Sequence, residues 1–269
     1  MYNLQFAIMI DLHSHILYDI DDGALTLAES LAMAEVAARD GTHVIAATPH
    51  GPGSSACRFY DPAQIRACLA ELNAAIADEQ IAIQVVAGTE ICYDADIVAR
   101  LKHGQLLTYG QSKAILLELS HNTIPPMLTN AIFNLQVAGY RIVLAHPERI
   151  IEVQQNPNVL LPLIERGVLM QITGEALIGG QGAQLRSTAE TMLRHGMAHL
   201  IASDAHGLHP RRAPKLAAAR ERAATLIGVE AANALVLTTP TAILHGQPLK
   251  LPPPHPVDQH TSRWRRLRG

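Results

Sequence analysis

Residues Met9–Gly23 read MIDLHSHILYDIDDG. The stretch has the apolar content of a buried strand, yet Asp11, His13, His15, Asp19, Asp21 and Asp22 are set into it. Charge inside a strand costs on the order of several kcal/mol unless something pairs with it. The partners have to come from further along the chain. By alternation, His13 and His15 face the same side of a strand, and Asp11 shares that side.

Outward from this stretch, β-like and helix-like segments alternate with little between them. Strands are predicted over 8–16, 43–48, 81–87, 114–119, 141–145, 168–173 and 199–203. A Thr26–Glu29 capping box opens the first helix and Gly41 stops it, while Asp61-Pro62 opens the second as N-cap and first helical residue. Further helices are predicted over 95–103, 128–138, 159–166, 185–195 and 212–226, with packing segments at 229–237 and 240–245. Runs such as AILLEL and RIVLAH are apolar on both faces, as strands of a helix-covered parallel sheet should be. Seven successive strand–helix units favour an α/β fold closed as a distorted (β/α)7, TIM-like barrel over a doubly wound open sheet.

That domain is expected over 9–246. Residues 1–8 read as an N-terminal extension, with Met9 an alternative start, and 247–269 as a proline-rich, then basic, disordered tail. The 269 residues are 48% hydrophobic and 17% charged, which suits an alanine-rich globular enzyme. A net charge of -3 gives no global basic field for nucleic acid or membrane. No apolar run approaches the ~18 residues of a membrane span. Three cysteines without a CxxC pair point to a reducing cytoplasm.

The placement of polar residues decides the function. Metal-capable side chains stand at the carboxyl end of one predicted strand after another: DLHSH, then ATPH (47–50), GTE (88–90), LELS (117–120), AHPER (145–149) and SDAH (203–206). Barrel active sites are assembled at that face. His13, His15, His50, His146 and His206 offer nitrogen, while Asp22, Glu90, Glu118 and Asp204 offer oxygen. This mixed set suits manganese, iron or zinc and exceeds the needs of one ion, so a site of two or three metals with bridging carboxylates is expected. Asp11 is read as a residue orienting a liganding histidine, with direct ligation as the alternative. Asp19 and Asp21 are read as solvated or turn-capping residues, and Gly23 as the turn that swings Asp22 back toward the site. His121 and His209 lie near the expected mouth and are read first as surface residues.

Together these motifs resemble the polymerase-and-histidinol-phosphatase (PHP) family of metal-dependent phosphoesterases. HSHILYDIDDG, TPH, HPER and SDAH are most similar to its bacterial protein-tyrosine phosphatase branch, whose members accompany tyrosine kinases of capsular and exopolysaccharide assembly. The resemblance runs from about Met9 to Leu244 and implies a distorted seven-stranded barrel with a trinuclear, usually manganese, centre. It implies that His13, His15, Glu90 and Asp204 hold one metal, that Glu90, Glu118 and His146 hold a second, and that Asp22, His50 and His206 hold a third. Arg149, and Arg211 or its neighbour Arg212, match the phosphate-binding pair. Gly51, where many relatives carry a basic or polar residue after TPH, is a departure at the rim.

Clustered cations lower the pKa of water and neutralise charge on a transferring phosphoryl group, so the expected activity is hydrolysis of protein phosphotyrosine by metal-activated hydroxide. The expected substrate is a tyrosine-phosphorylated protein, such as a bacterial tyrosine kinase. A thiol mechanism is excluded, because Ala63, Ala74 and Val98 stand six positions after the three cysteines, where that nucleophile needs an arginine. The alternatives are a phosphoesterase acting on a small ester such as histidinol phosphate, and a non-catalytic metal-stabilised regulatory module.

Overall fold

A computed structural model of the chain describes residues 8–258. The extension expected over 1–8, apart from Ile8, and the tail over 259–269 lie outside the described residues. Eight parallel strands form in chain order: β1 (Met9–Ser14), β2 (Thr42–Ala47), β3 (Gln84–Ala87), β4 (Glu90–Cys92), β5 (Ala114–Glu118), β6 (Arg141–Ala145), β7 (Leu169–Thr173) and β8 (Leu200–Ala202). The third strand predicted over 81–87 forms as β3, and a further short strand, β4, follows it after Gly88-Thr89. A Cβ on Gly88 would come within 2.8 Å of Thr48 Cγ2, so only glycine lets the chain pass there.

The helices are α1 (Leu27–Asp40), α2 (Pro62–Asp78), α3 (Ile97–Lys102), α4 (Leu128–Val137), α5 (Ile151–Gln155), α6 (Leu161–Glu165), α7 (Gly174–Ile178), α8 (Ala183–Arg194), α9 (Ala217–Ile227), α10 (Val229–Asn233) and α11 (Thr239–Leu244). Their ends follow the chemistry read from the sequence. Thr26 accepts from Glu29 N, Asp61 from Ala63 N, and Gly41 closes α1 in the left-handed region. One cap is long-range: Asp40, at the end of α1, accepts from the N–H groups of Leu216 and Ala217 and so closes the start of α9.

The strands pair as two parallel sheets, β1-β2-β3 and β4-β5-β6-β7-β8. Isolated bridges join the sheets at both margins, Ser14 to Ala205 and His50 to Glu90. One apolar cluster draws on both sheets, with Ile10, Leu12 and Ala46 from the first and Leu116, Val143 and Leu169 from the second. Ile243 of α11 is a buried member of this cluster, and Leu249 and Leu251 pack against it. Residues 247–258, the described part of the tail expected over 247–269, carry no helix or strand. Asn158 pairs with both the N–H and the carbonyl of Val257, and His255 N donates to His195 O, which pins this stretch along the domain as a strap.

Candidate metal centre

Strand ends and the loops beside them bring together all nine predicted ligands. Each belongs to at least one of five groups whose donor atoms lie within 4.8 Å of one another: His15–Asp22–His50–His206, His13–Glu90–His146, His13–His15–Asp204, His50–Glu90–Glu118 and Glu118–His121–His146. His121 is an addition, an exposed side chain that sequence reasoning assigned to the surface. Glu90 is central: His146 Nε2 lies 2.8 Å from its Oε1, His13 Nε2 3.3 Å from the same oxygen, and His50 Nδ1 3.0 Å from Oε2. Asp204 Oδ1 stands 3.2 Å from His13 Nε2. Asp22 Oδ1 stands 3.6 Å from His50 and 3.5 Å from His206.

Backbone geometry at the strand ends aims these groups. His146 and Asp204 both adopt left-handed backbone, with φ of 31° and 53°. Such strain in non-glycine residues persists where surrounding structure over-determines it, and it gathers at functional sites. Gly23 acts by close approach, since a Cβ there would lie 2.0 Å from the His15 carbonyl oxygen. Ala24 N donates to that oxygen, so the DDG segment folds back on His15 and carries Asp22 to the cluster.

Three residues behind the cluster set its orientation. Asp21, read from the sequence as solvated or turn-capping, is fully buried. Its Oδ2 is 2.6 Å from His15 Nδ1 and accepts from His50 N, and its Oδ1 accepts from Gly23 N. It caps the turn as expected, but it also fixes one histidine ring and the backbone of another. Gln171 of β7, which was not anticipated, places Oε1 2.8 Å from His13 Nδ1. The only sequence signal for it was a polar residue in the apolar strand LMQIT. Asp11 belongs to none of the five groups. It accepts from His13 N and Ser203 N, so it ties β1 to the end of β8 and orients the His13 backbone rather than its ring.

This donor set fits cations. With Gln171 Oε1 and Asp21 accepting at their Nδ1 atoms, His13 and His15 both turn Nε2 inward, and the two Nε2 atoms lie 3.3 Å apart. Two facing lone pairs at that distance repel unless a positive charge stands between them. Burial works against protonating His13, but Glu90 and Asp204 outweigh it and raise its pKa to about 9. A field that would hold a proton there would also hold a metal ion. Elsewhere the field reverses: burial and Arg149 push His146 down to about 4, and burial with His15 pushes His206 to about 4. Neutral imidazole is the ligating form. Burial, then Glu90, lifts the Glu118 carboxyl to about 7. Carboxylates crowded in this way call for multivalent counter-charge.

Arg149 donates to Asp204 Oδ2 at the edge of the cluster. The adjacent arginines are both exposed; Arg212 reaches Asp22, at 3.2 Å, and Arg211 acts electrostatically on Glu175. Neither Cys57 nor Cys92 is an activated thiol, because burial raises the pKa of both.

A family described as "Capsular polysaccharide synthesis, CpsB/CapC" matches residues 9–245. The chain is 37% identical over 203 residues to the tyrosine-protein phosphatase YwqE of Bacillus subtilis, a match covering 76% of this chain and 79% of that one. It is 30% identical over 242 residues to the tyrosine-protein phosphatase CpsB of Streptococcus agalactiae, covering 88% and 98%. A solved structure from work on YwqE and on CpsB of Streptococcus pneumoniae, described as unique metal-dependent tyrosine phosphatases, superposes with a TM-score of 0.87 at 34% identity. That match covers 93% of this chain and all of the other.

Proposed function

Because the chain belongs to the CpsB/CapC family of capsular polysaccharide synthesis, we propose that it is a metal-dependent protein-tyrosine phosphatase that removes phosphate from a bacterial tyrosine kinase of polysaccharide export. The observation that carries this reading is the convergence of nine histidine and carboxylate donors from six strand ends at one point, with arginines beside them. The two bridged sheets are read as one distorted barrel of seven strand–helix units. The three partnerless cysteines suit a cytoplasmic setting.

Manganese is the proposed metal, with iron or zinc able to use the same donors. His13, His15, Glu90 and Asp204 are proposed to hold one ion. Glu90, Glu118 and His146 would hold a second, and Asp22, His50 and His206 a third. When bound, the cations supply Lewis acidity, which lowers the pKa of water and offsets charge on the phosphoryl oxygens. Asp21 and Gln171 keep the His15 and His13 rings turned inward. Arg149 is held at the edge of the cluster by Asp204, where its guanidinium fork can donate to a pair of phosphoryl oxygens. Arg211 is proposed as the second phosphate ligand, with its neighbour Arg212, which reaches Asp22 at 3.2 Å, as the alternative. The phenolate leaving group, with an ordinary pKa near ~10, needs little help from a general acid.

Phosphotyrosine turnover should be abolished by chelation, restored by manganese and untouched by thiol alkylation. Full activity after exhaustive metal removal would overturn the mechanism. In the same assay, kcat/KM should be far higher for a tyrosine-phosphorylated kinase peptide than for histidinol phosphate; the reverse order would overturn the substrate.

A further inference from the structure

At the amino end of β8, the end opposite Asp204, lies a cavity of about 310 Å³. That volume is at the lower end of the range for small-molecule sites, on the order of 300–1,000 Å³. Its walls are apolar and come from separate elements: Leu193 from α8, Ile227 from α9, Leu235 from the π-helical turn Ala234–Thr238, and Leu251 with Pro252 from the strap. Turns of π-helix are rare and recur at functional sites. The strap runs close against the end of α8 here, since a Cβ on Gly196 would lie 3.6 Å from Pro254 Cα.

One buried polar group interrupts this lining. His199 stands in the cavity wall and is 3% exposed. Its Nδ1 accepts from Met170 N at 2.9 Å, so the ring proton sits on Nε2. That N–H has no hydrogen-bond partner among the described residues, in an interior where nearly all such donors are paired. Water is a poor partner for it, because a buried water needs about two to four polar neighbours and this wall is chiefly methyl and methylene groups. Burial alone depresses the pKa of the ring to about 4, and the same surroundings would penalise an ionised ligand. Arg194, the charged residue of the lining, is already held by Glu190 at 3.2 Å.

We propose that this cavity binds a small uncharged molecule with an apolar body and one hydrogen-bond acceptor, such as a ketone carbonyl, seated on His199 Nε2. The body takes the apolar volume, and the carbonyl takes the one N–H that the fold leaves over. The site lies at the opposite end of β8 from the metal centre and does not depend on the reaction there. Because its walls join the strap to α8, α9 and the π-helical turn, the ligand also fastens the strap, whose other holds are Asn158 and His195.

The test titrates the full chain, loaded with diamagnetic zinc, with acetophenone, ethylbenzene and benzoate, three probes of similar size. Nitrogen-15 NMR of the imidazoles follows His199 Nε2. Acetophenone should shift that resonance saturably and slow hydrogen exchange at the His255 amide, which bonds to His195 O. It should bind about tenfold more tightly than ethylbenzene, the margin expected from one hydrogen bond to a buried donor, and benzoate should not bind. Ala231 lines the cavity yet is exposed, so filling the space from there leaves the buried core alone. Ala231→Phe should abolish the acetophenone shift while the amide spectrum away from the cavity stays native. No saturable shift at His199, equal affinity for ethylbenzene, or binding that survives Ala231→Phe would each overturn the site. Benzoate binding as tightly as acetophenone would overturn the uncharged class of ligand.

Discussion

Asp19 and Asp21 are two residues apart in the same loop, and burial separates their roles. Asp19 is exposed and faces Arg58 at 4.0 Å, whereas Asp21 is fully buried against His15, His50 and Gly23. Residues that orient metal-ligating histidines typically contribute 10–100-fold in affinity. Asp21→Asn replaces one acceptor oxygen with an amide donor, so His15 or His50 loses its fixed partner. Titration calorimetry with manganese should show about 10–100-fold weaker binding for Asp21→Asn and no change for Asp19→Asn. Equal affinity in the two variants would return Asp21 to the role of a simple turn residue.

At the scale of elements, His199 precedes β8 and extends its pairing with β7. Its N–H donates to Met170 O and its Nδ1 accepts from Met170 N. Burial alone depresses its pKa to about 4. An unfolded histidine, with a pKa near ~6.5, takes up its proton first as pH falls. The stability contributed by the neutral ring is therefore full above about pH 6.5 and is lost between there and about pH 4, amounting to about 3 kcal/mol at most. His199→Gln keeps an acceptor for Met170 N without the titration. Denaturant unfolding across that window should fall less steeply for the variant than for the parent. Parallel curves would remove His199 as the cause.

Elements with local signals were legible in the sequence. The Thr26 box, the Asp61 cap and the Gly41 stop each depend on neighbours within a few residues. The convergence of donors from the DLHSH, TPH, AHPER and SDAH runs was legible because each run closes an apolar strand. What escaped depends on distant contacts or on very short segments. The break between β3 and β4 is set by Gly88 meeting Thr48, some forty residues away. α5 and α7 are five residues each, too short to show a helical period. Gln171 matters only because β7 faces His13, 158 positions earlier. The contacts of Val257 and His255 lie on Asn158 and His195, distant in sequence, and the proline-rich composition of their stretch gives no sign of them.

For the whole molecule, the arrangement of the two sheets bears on how it comes apart. Each margin between them carries a single bridge, Ser14 to Ala205 at one and His50 to Glu90 at the other. Single bridges are weak points in a backbone ladder, and local opening follows such points. Yet the donors cross both margins: His13, His15 and His50 belong to the first sheet and its loops, and Glu90, Glu118, His146 and Asp204 to the second. Cations shared among them would act as a clasp over two seams. Ligands that bind only the native state stabilise it by mass action, and here that stabilisation would be concentrated at particular amides. Hydrogen exchange at Gly51, His15 and Asp204, whose N–H groups bond across the margins, should slow on addition of manganese far more than exchange in α4. Uniform slowing would mean that the halves already move as one body. Selective slowing would make metal supply, through the rate at which the halves part, a determinant of how long each molecule survives proteolysis.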